Sequence, residues 1–292
     1  MEKILSGKKV SKKILSELKE KVSKLSENRI HPKLSIFMIG DNSAAEYYSQ
    51  NIIKKAGKIG IQTELLQLAF EIKEKELIDK IKLANRNPKI YGIILQMPLP
   101  KHIQGDKIIL EISPQKDIDG MHPLNAGKLL LGKDCFIPCT PAAVLELLKF
   151  YQIETDGKKI VIIGRSNIVG KPLANLLLRK NKYANATVTI CHSHTKNIEK
   201  ITKSADILIA AIGKANFVTA KMIKKNSILI DVGINEIKTN DANGYKFVGD
   251  ILYEDVFEKA KAITPVPGGI GSITTATLLS NVVKTAENRK NS

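Results

Sequence analysis

The sequence predicts an α/β protein of two domains: an amino-terminal α/β domain, followed by a Rossmann-like nucleotide domain with a parallel sheet. The first observation is that short apolar runs alternate with segments of helical periodicity along most of the chain. The second is the segment at 158–173, KKIVIIGRSNIVGKPL, in which a strand leads through a glycine turn into a helix. The chain has 292 residues and 43% hydrophobic content, enough for two sizeable cores.

The first half of the chain alternates helices and strands. Apolar residues from Val10 to Leu25 recur every three or four positions and predict an amphipathic helix. Continuous apolar runs follow, separated by segments of helical spacing, and this alternation is typical of a parallel sheet. We therefore expect strands at 34–39, 61–68 and 91–95, with helices between them that end near Lys58 and Asn85.

Turn residues mark the end of this first sheet. Gln96 to Pro100 follows the third predicted strand at its carboxyl end, the side on which open α/β sheets bind ligands. The two prolines there either end the strand or hold the Gln96 amide in place. Between Ser113 and Gly127 proline, glycine and aspartate accumulate, so we predict a long loop or hinge. Thr140 and Pro141 then start the next helix.

The glycine turn has features of an anion-binding loop. The strand Ile160 to Ile163 ends at Gly164, and Gly170 opens the helix that follows. Backbone N–H groups at such a junction are free to bind an anion. The glycine spacing departs from G-x-G-x-x-G, and the G-K-[ST] ending of a P-loop is lacking. A tight turn without any ligand therefore stays open at this point.

The next strand favours NADP over NAD as the ligand of this turn. In a βαβ nucleotide-binding unit the end of the second strand binds the ribose, and NAD-specific enzymes usually place an acid there. Here the strand Thr187 to Cys191 is followed by His-Ser-His-Thr without an acid. The Arg165 guanidinium and the Ser193 hydroxyl suit a 2′-phosphate. The alternatives are a solvated charge for Arg165 and an ordinary exposed loop residue for Ser193.

Composition argues against several other classes of protein. The net charge is +17, but the chain has only five arginines and its lysines are spread over predicted helices, which indicates solvated faces and no nucleic-acid site. We expect no membrane partner and a cytoplasmic location, since no apolar segment approaches the ~18 residues of a spanning helix. Three cysteines without C-x-x-C spacing suit a reducing compartment. Strand alternation separates Cys191 from His192 and His194, so we expect no metal.

Eight ordered motifs resemble the tetrahydrofolate dehydrogenase/cyclohydrolase family, from the first helix to the last. The resemblance implies NADP-dependent oxidation of 5,10-methylenetetrahydrofolate to the methenyl cation in one-carbon metabolism, commonly followed by hydrolysis to 10-formyltetrahydrofolate. The motifs are GDNSAAEYY at 40–48, ILQMPLP at 94–100, PQKDIDGMHP at 114–123, PCTP at 138–141, GRSNIVGKP at 164–172, CHSHT at 191–195, DVGIN at 231–235 and TPVPGGIG at 264–271.

The resemblance also implies a domain organisation and partners. A folate-binding catalytic domain at 1–122 is completed by the carboxyl-terminal helix at 273–292. A hinge covers 123–140, and the NADP-binding Rossmann domain covers 141–270. The implied partners are tetrahydrofolate substrates, polyglutamylated forms included, and a second copy of the chain in a homodimer.

Site residues are carried over by position in the motifs. Tyr48 is implied to line the folate site and pack on the substrate ring, Gln96 to work beside the reacting carbon, and Asp119 to hydrogen-bond the pterin. A flat ring suits an aromatic face, and an edge rich in N–H donors suits a carboxylate. These three are the expected catalytic residues. The other expected contacts are Pro265, Pro267, Gly268 and Gly269 for folate, and Gly164, Arg165, Ser166, Gly170, Ser193 and Ile234 for NADP.

One departure from the family pattern bears on activity. Bifunctional members carry Tyr-x-x-x-Lys on a helix of the first domain, and this lysine assists the attack of water on the methenyl carbon. Here Tyr48 is followed four residues later by Ile52. Lys54 lies about 200° around the helix from position 52, and Lys55 about 4.5 Å further along the axis. We therefore expect dehydrogenase activity with weak or absent cyclohydrolase activity.

Two milder departures and two alternative functions remain. Gly271-Ser272 replaces the family's usual Gly-Pro, and His194 stands where Arg or Lys is common, which weakens the NADP assignment. One alternative function is a relative that binds folate without turning it over, against which the retained Gln96, Asp119 and glycine turn argue. The other is a nucleic-acid-binding protein, which rests on the net charge alone.

Overall fold

Two parallel sheets, each with its own apolar core, organise the chain in the computed structural model, which describes residues 2–239 and 244–290. A central unit comprises Met1–Ser11 and Thr140–Thr274. An amino-terminal unit comprises Lys12–Cys139 and Thr275–Ser292. The predicted two-domain α/β class is confirmed.

The amino-terminal unit contains three parallel strands covered by helices. Its strand order is β2-β1-β3, so β1 is central, and six of its seven residues are buried. Helical crossovers join the strands, as parallel pairing requires. The elements are α1 (Gly7–Glu27), β1 (Lys33–Ile39), α2 (Ser43–Lys58), β2 (Gln62–Leu68), α3 (Glu74–Arg86), β3 (Ile90–Leu95), α4 (Gly105–Glu111) and α5 (Pro123–Leu130).

The core of this unit lies between its sheet, α2 and the second half of the last helix. Ile36 of β1 and Ile52 of α2 have no exposed surface, and both belong to one apolar cluster. Leu278 and Val282 of the last helix belong to the same cluster. The carboxyl-terminal residues of the chain therefore complete the amino-terminal core.

The central unit contains a five-stranded parallel sheet and a separate antiparallel hairpin. The sheet order is β10-β7-β6-β4-β5, so the chain order reverses between β4 and β6, and β8 pairs with β9 in the hairpin. The elements are α6 (Cys139–Phe150), β4 (Lys159–Ile163), α7 (Gly170–Leu177), β5 (Thr187–Cys191), α8 (Ile198–Thr202), β6 (Ile207–Ala210), a 3₁₀ turn (Ala220–Met222), β7 (Ile228–Asp231), β8 (Asn235–Lys238), β9 (Tyr245–Val248), α9 (Tyr253–Val256) and β10 (Ala262–Ile263). The last helix, α10 (Ile270–Lys290), begins in this unit, and its residues from Thr275 onward belong to the amino-terminal unit.

The structure differs from the expected organisation at two places. The loop or hinge expected from 113 to 140 contains α5, which begins at Pro123 because proline suits a first helical position and the His122 side chain accepts from the Leu124 N–H at 3.0 Å. The first residues pack in the central unit and not in the amino-terminal one. The Leu5 N–H donates to the Ile263 carbonyl at 2.8 Å, which adds a bridge to the edge of the central sheet.

Neither a membrane-spanning helix nor a cluster of metal ligands is present in the part of the chain that the structure describes. Over 2–239 and 244–290 no helix is long and apolar enough to cross a membrane. In the same residues no group of three or more His, Cys, Asp or Glu side chains is arranged to hold a metal ion. Cys135, Cys139 and Cys191 are free thiols.

Candidate active site

The carboxyl edge of the central sheet gathers the residues expected to bind a dinucleotide. Ile163 of β4 pairs in register with Cys191 of β5 on one side and with Ala210 of β6 on the other. Ala210 pairs in turn with Asp231 of β7. Because these strands end in one row, the loops that carry Arg165, Ser193 and Ile234 all emerge from the same edge of the sheet. Dinucleotides bind at this edge, where the strand order reverses.

The glycine turn is shaped by close backbone contacts. A Cβ added to Gly164, whose φ is +128°, would lie 2.2 Å from the Ala211 carbonyl oxygen. A Cβ added to Gly170 would lie 2.1 Å from the carbonyl oxygen of Gly164. Any larger residue at either position would push the turn apart. The backbone contacts therefore require glycine at both positions. The turn that the two glycines form fits the close backbone approach that a pyrophosphate needs.

Polar groups on this turn remain available to a ligand. The Ser166 Oγ accepts from the Val169 N–H at 3.1 Å and keeps its own hydroxyl proton. Arg165 is exposed and forms no ion pair with any residue of 2–239 or 244–290. Ser193 and Ile234 are also exposed, Ile234 to 58%. A guanidinium and two hydroxyls at one sheet edge fit a phosphate-bearing ribose.

In the amino-terminal unit, α2 presents Tyr48. The helix begins after Asn42, whose side chain accepts from the Ala45 N–H at 2.9 Å. Tyr48 is half-buried and packs against the apolar cluster that contains Ile52. Burial, reinforced by the nearby Asp119 carboxylate, raises the pKa of the Tyr48 phenol well above its usual value. Tyr48 therefore stays protonated and lies close to Asp119.

Gln96 carries a buried amide that the protein leaves unused. It follows β3, and its backbone N–H donates to the Phe37 carbonyl at 2.8 Å, which fixes the residue at the carboxyl end of the sheet. The residue is only 6% exposed. Its Nε2 has no hydrogen-bond partner among the described residues. Buried donors are normally paired, so this amide points to a ligand.

The loop that carries Asp119 is fastened at both ends. Before it, the buried Lys116 ammonium donates to the carbonyls of Ala84, Asn85 and Asn87 at 2.6–2.8 Å, at the end of α3. Burial and the nearby Arg289 lower the pKa of Lys116 to about 8, while three carbonyl acceptors favour the charged form.

Asp117 closes the same loop on its other side. Its carboxylate, 2% exposed, accepts the N–H groups of Met121 at 3.0 Å and His122 at 2.8 Å, and the Asn125 amide at 2.8 Å. These donors hold the turn that follows, in which Gly120 has a φ of +69°. Asp117 thereby fixes the backbone on which Asp119 is placed.

Asp119 itself has few protein partners. Burial raises the pKa of its carboxyl to about 6, against a smaller lowering by hydrogen bonds from Cys139. The Asn281 amide of α10 donates to the neighbouring Ile118 carbonyl at 2.7 Å and holds the chain there. The result is a carboxylate beside Tyr48 that is placed firmly and still open to donors from a ligand.

The two sets of expected folate residues lie in different units. Tyr48, Gln96 and Asp119 belong to the amino-terminal unit, whereas Pro265, Pro267, Gly268 and Gly269 belong to the central unit. The Lys8 N–H donates to the Gly268 carbonyl at 3.2 Å. A Cβ added to Gly7 would lie 1.9 Å from the Gly269 carbonyl oxygen, so the amino terminus packs directly on this loop.

Sequence reasoning missed the residues that hold these sites in shape. Asp117 lies inside the quoted PQKDIDGMHP motif, and Asp231 opens the DVGIN motif, yet neither was assigned a role. Asp250 and Asn281 lie outside every motif. A glycine beside an aspartate, as in Gly249-Asp250, was the only signal in the sequence.

Family models match both parts of the chain. Residues 5–119 match the catalytic domain of tetrahydrofolate dehydrogenase/cyclohydrolase. Residues 138–290 match its NAD(P)-binding domain. The resemblance read from the eight motifs is confirmed, as is the expected class of cofactor.

Relatives agree over nearly the full length. The bifunctional protein FolD of Chloroherpeton thalassium is 49% identical over 288 residues, covering 97% of this chain and 98% of its own. The crystal structure of the bifunctional FolD of Campylobacter jejuni has a TM-score of 0.92 at 43% identity, over 98% of this chain and 99% of that one. The FolD of Trypanosoma brucei, solved with NADP and an inhibitor, has a TM-score of 0.93 at 32% identity, over 99% and 98%.

Proposed function

The chain belongs to the tetrahydrofolate dehydrogenase/cyclohydrolase family, and from this we propose that it oxidises 5,10-methylenetetrahydrofolate to 5,10-methenyltetrahydrofolate with NADP. We propose further that its cyclohydrolase activity is weak or absent. The first statement rests on the folate residues and the dinucleotide turn described above. The second rests on one observation, the full burial of Ile52.

In the proposed dehydrogenase reaction the protein supplies mainly orientation. Asp119 accepts from N–H donors of the pterin, and the Tyr48 ring packs on the substrate. Gln96 donates its unpaired amide beside the reacting carbon. NADP, when bound, accepts the hydride. No strong side-chain base is needed, because lone pairs of the ring nitrogens support the cation that develops on the bridging carbon.

The preference for NADP over NAD rests on the end of β5. No acid follows this strand to accept from a 2′-hydroxyl, whereas the exposed Arg165 and Ser193 suit a 2′-phosphate. The NADP-bound Trypanosoma brucei relative supports the same choice. The residues that would hold the cofactor are Gly164, Arg165, Ser166, Gly170, Ser193 and Ile234.

Hydrolysis of the methenyl product needs a proton-transferring group near Tyr48, and Ile52 is not one. Its side chain has no exposed surface and packs in the apolar cluster of the amino-terminal unit. An alkyl side chain neither activates water nor transfers a proton. Lys54 is exposed. Lys55 is half-buried, and burial lowers the pKa of its ammonium. Among the lysines of α2 near Tyr48, Lys55 is therefore the one whose pKa is shifted toward neutral pH.

The direct test is a spectroscopic assay with methylenetetrahydrofolate and NADP that follows methenyl formation and decay separately. We expect methenyl to accumulate and then disappear at the uncatalysed rate. No oxidation with either NADP or NAD would favour the alternative of a relative that binds folate without turning it over, which folate titration would then test. Enzyme-dependent consumption of methenyl would overturn the statement about cyclohydrolase, and a Lys55→Met variant would then show whether Lys55 had replaced the missing lysine.

A gain-of-function variant sharpens the test. Ile52→Lys restores the family's lysine one helical turn after Tyr48, so we expect methenyl hydrolysis to rise by about 100-fold. The buried position should lower the free energy of unfolding by roughly 2 kcal/mol or more. The matched control is Ile52→Met, which keeps an apolar side chain of similar volume and should leave hydrolysis unchanged.

The partner assignments are also proposals. The hairpin of the central unit exposes Tyr245 to 46% and Phe247 to 40%, with their rings 5.6 Å apart. Paired aromatic side chains on a surface are typical of an interface, which supports the expected homodimer. Light scattering on the purified chain tests this, and a monomer at micromolar concentration would contradict it. Polyglutamylated substrates and the absence of nucleic-acid affinity are tested by titration at physiological salt.

A further inference from the structure

A fully buried carboxylate, Asp250, fixes the loop that follows β6. Its Oδ2 accepts the N–H groups of Ile212 at 2.7 Å and Gly213 at 3.1 Å. Its Oδ1 accepts the N–H group of Lys214 at 2.8 Å. Three consecutive backbone donors are thus bound by one side chain that has no exposed surface. Charge-assisted bonds of this kind hold a loop more strongly than neutral ones.

The surroundings of Asp250 leave it only one position. The Asn235 amide donates to its Oδ1 at 2.9 Å, and its own N–H donates to the Asp231 carboxylate at 3.0 Å. A Cβ added to Gly233 would lie 2.2 Å from Oδ1 of Asp250. Asp231 is buried as well and accepts the N–H groups of Gly233 and Ile251. The pair therefore ties the ends of β6, β7 and β9 together.

The loop that Asp250 holds borders the dinucleotide turn. The Ala211 N–H donates to the Ile163 carbonyl at 2.8 Å, and the Ala211 carbonyl oxygen is the group that a side chain at Gly164 would strike. Among the described residues, no donor reaches the carbonyl oxygens of Ala211, Ile212 or Gly213. The loop therefore offers acceptors to a ligand while its N–H groups are committed to Asp250.

Strand order shows which part of a dinucleotide would meet this loop. The crevice lies between β4 and β6, where the chain order reverses. The ribose that carries the 2′-phosphate belongs on the β5 side, beside Ser193. The loop after β6 lies on the opposite side, so it borders the nicotinamide half of the molecule.

We propose that Asp250 is a positioning residue for the nicotinamide half of the cofactor, acting through the backbone of residues 212–214 and not touching the ligand itself. The inference deepens the proposed NADP function and depends on it. It predicts that loss of Asp250 weakens the binding of NADP without weakening that of the adenosine half.

The test compares NADP with adenosine 2′,5′-bisphosphate, which lacks the nicotinamide half. Each carboxylate oxygen of Asp250 accepts two N–H···O hydrogen bonds. In Asp250→Asn the NH₂ group that replaces either oxygen therefore faces two N–H donors, whichever way the amide is oriented. By calorimetry we expect the affinity for NADP to fall at least tenfold and that for the bisphosphate to change less than twofold. Turnover with NADP should fall as well. A milder variant, Asn235→Ala, removes one donor and should move the same ratio in the same direction.

The matched control is Asp206→Asn at the opposite edge of the same sheet. Asp206 precedes β6 and accepts the Lys159 N–H at 3.0 Å, so its loss should lower stability without changing the affinity ratio. The proposal would be overturned if Asp250→Asn lost affinity for NADP and for the bisphosphate equally. It would also be overturned if the ratio of the two affinities stayed unchanged in Asp250→Asn as it does in Asp206→Asn. Failure of the proposed function would give a different result, because the wild type would then bind NADP without oxidising the folate, or would bind neither NADP nor the bisphosphate.

Discussion

Two pairs of aspartates, one in each unit, are used in different ways. In the central unit the chain supplies both carboxylates with several donors: Asp231 accepts three backbone N–H groups, and Asp250 accepts three more and an amide. In the amino-terminal unit Asp117 likewise accepts three bonds, from two N–H groups and the Asn125 amide. Asp119 has Cys139 as its main polar partner.

The difference separates carboxylates that hold loops of the protein in place from one that we propose binds a ligand. A buried carboxylate that accepts three or four hydrogen bonds from the chain has little acceptor capacity left and stabilises a loop. A carboxylate that the chain surrounds but supplies with few donors keeps acceptor sites free for a ligand. Asp119 is of the second kind, and the unpaired Gln96 amide beside the same sheet edge supplies the complementary donor.

The largest expected effect comes from replacing each aspartate of the amino-terminal pair, Asp117 or Asp119, separately. Asp119→Asn should lower kcat/KM for methylenetetrahydrofolate by about 10- to 100-fold, the worth of a hydrogen bond to a charged group, and leave the unfolding free energy unchanged or higher. Asp117→Asn should lower the unfolding free energy by about 1–3 kcal/mol, because buried N–H donors lose their acceptor. Steady-state kinetics and denaturant titration measure both. If both variants lose stability equally, the distinction fails.

A pH titration addresses the same carboxylate with an intermediate effect. Because the pKa of Asp119 is about 6, the ionised form that we propose accepts pterin N–H groups is lost below that pH. We expect kcat/KM for the folate to fall about tenfold for each pH unit well below 6 and to be level above it. In Asp119→Asn this dependence should be absent, and a persistent break near pH 6 in the variant would assign it to another group.

The stability of the same variant has a defined sign against pH. The folded pKa of Asp119 lies above its ordinary value of 3.8, so the native state binds the extra proton between about pH 4 and 6. That contribution to stability is lost as the pH rises through this window. Replacement by Asn should therefore favour the variant more at pH 7 than at pH 4, which chemical denaturation at the two values measures.

The smallest effect is expected from Asn281→Ala in α10. This change leaves the Ile118 carbonyl without its 2.7 Å donor and loosens the backbone next to Asp119. We expect KM for the folate to rise about two- to fivefold, the equivalent of about 0.5–1 kcal/mol. Thr285→Val, one turn later on the same helix, is the control, since within 2–239 and 244–290 its hydroxyl bonds only to the Asn281 carbonyl, at 3.0 Å. Equal KM values in the two variants would remove Asn281 from the site.

Much of the fold could be predicted from local sequence. Apolar runs of four to eight residues placed β1 to β5 within two residues, whereas β10 was not predicted, and the glycine turn after β4 was located correctly. Several short elements were not predicted, because α4, α5 and the β8–β9 hairpin have weak periodicity. At 113–127 the many turn residues indicated a loop. Such segments take their structure from the surfaces on which they pack, a signal that a local window does not contain.

The candidate site divides in the same way. Tyr48, Gln96 and Asp119 were named from motifs, and so was the substitution at Ile52, because residue type and order carry that information without coordinates. Their standing as ligand groups stays a prediction. The sequence could not show that the Gln96 amide is unpaired, since that depends on what the rest of the unit fails to place beside it.

The sequence by itself determined the alternation of strands and helices, the two glycines of the turn and the loss of the lysine at position 52. Only the tertiary structure decided which carboxylates receive several hydrogen bonds from the chain and which receive few. Asp250 meets its donors at 212–214 across 36 to 38 residues, and Asn281 meets Ile118 across 163. Periodicity and spacing report neighbours within a few residues, whereas a buried charge is satisfied by whatever the folded chain brings to it.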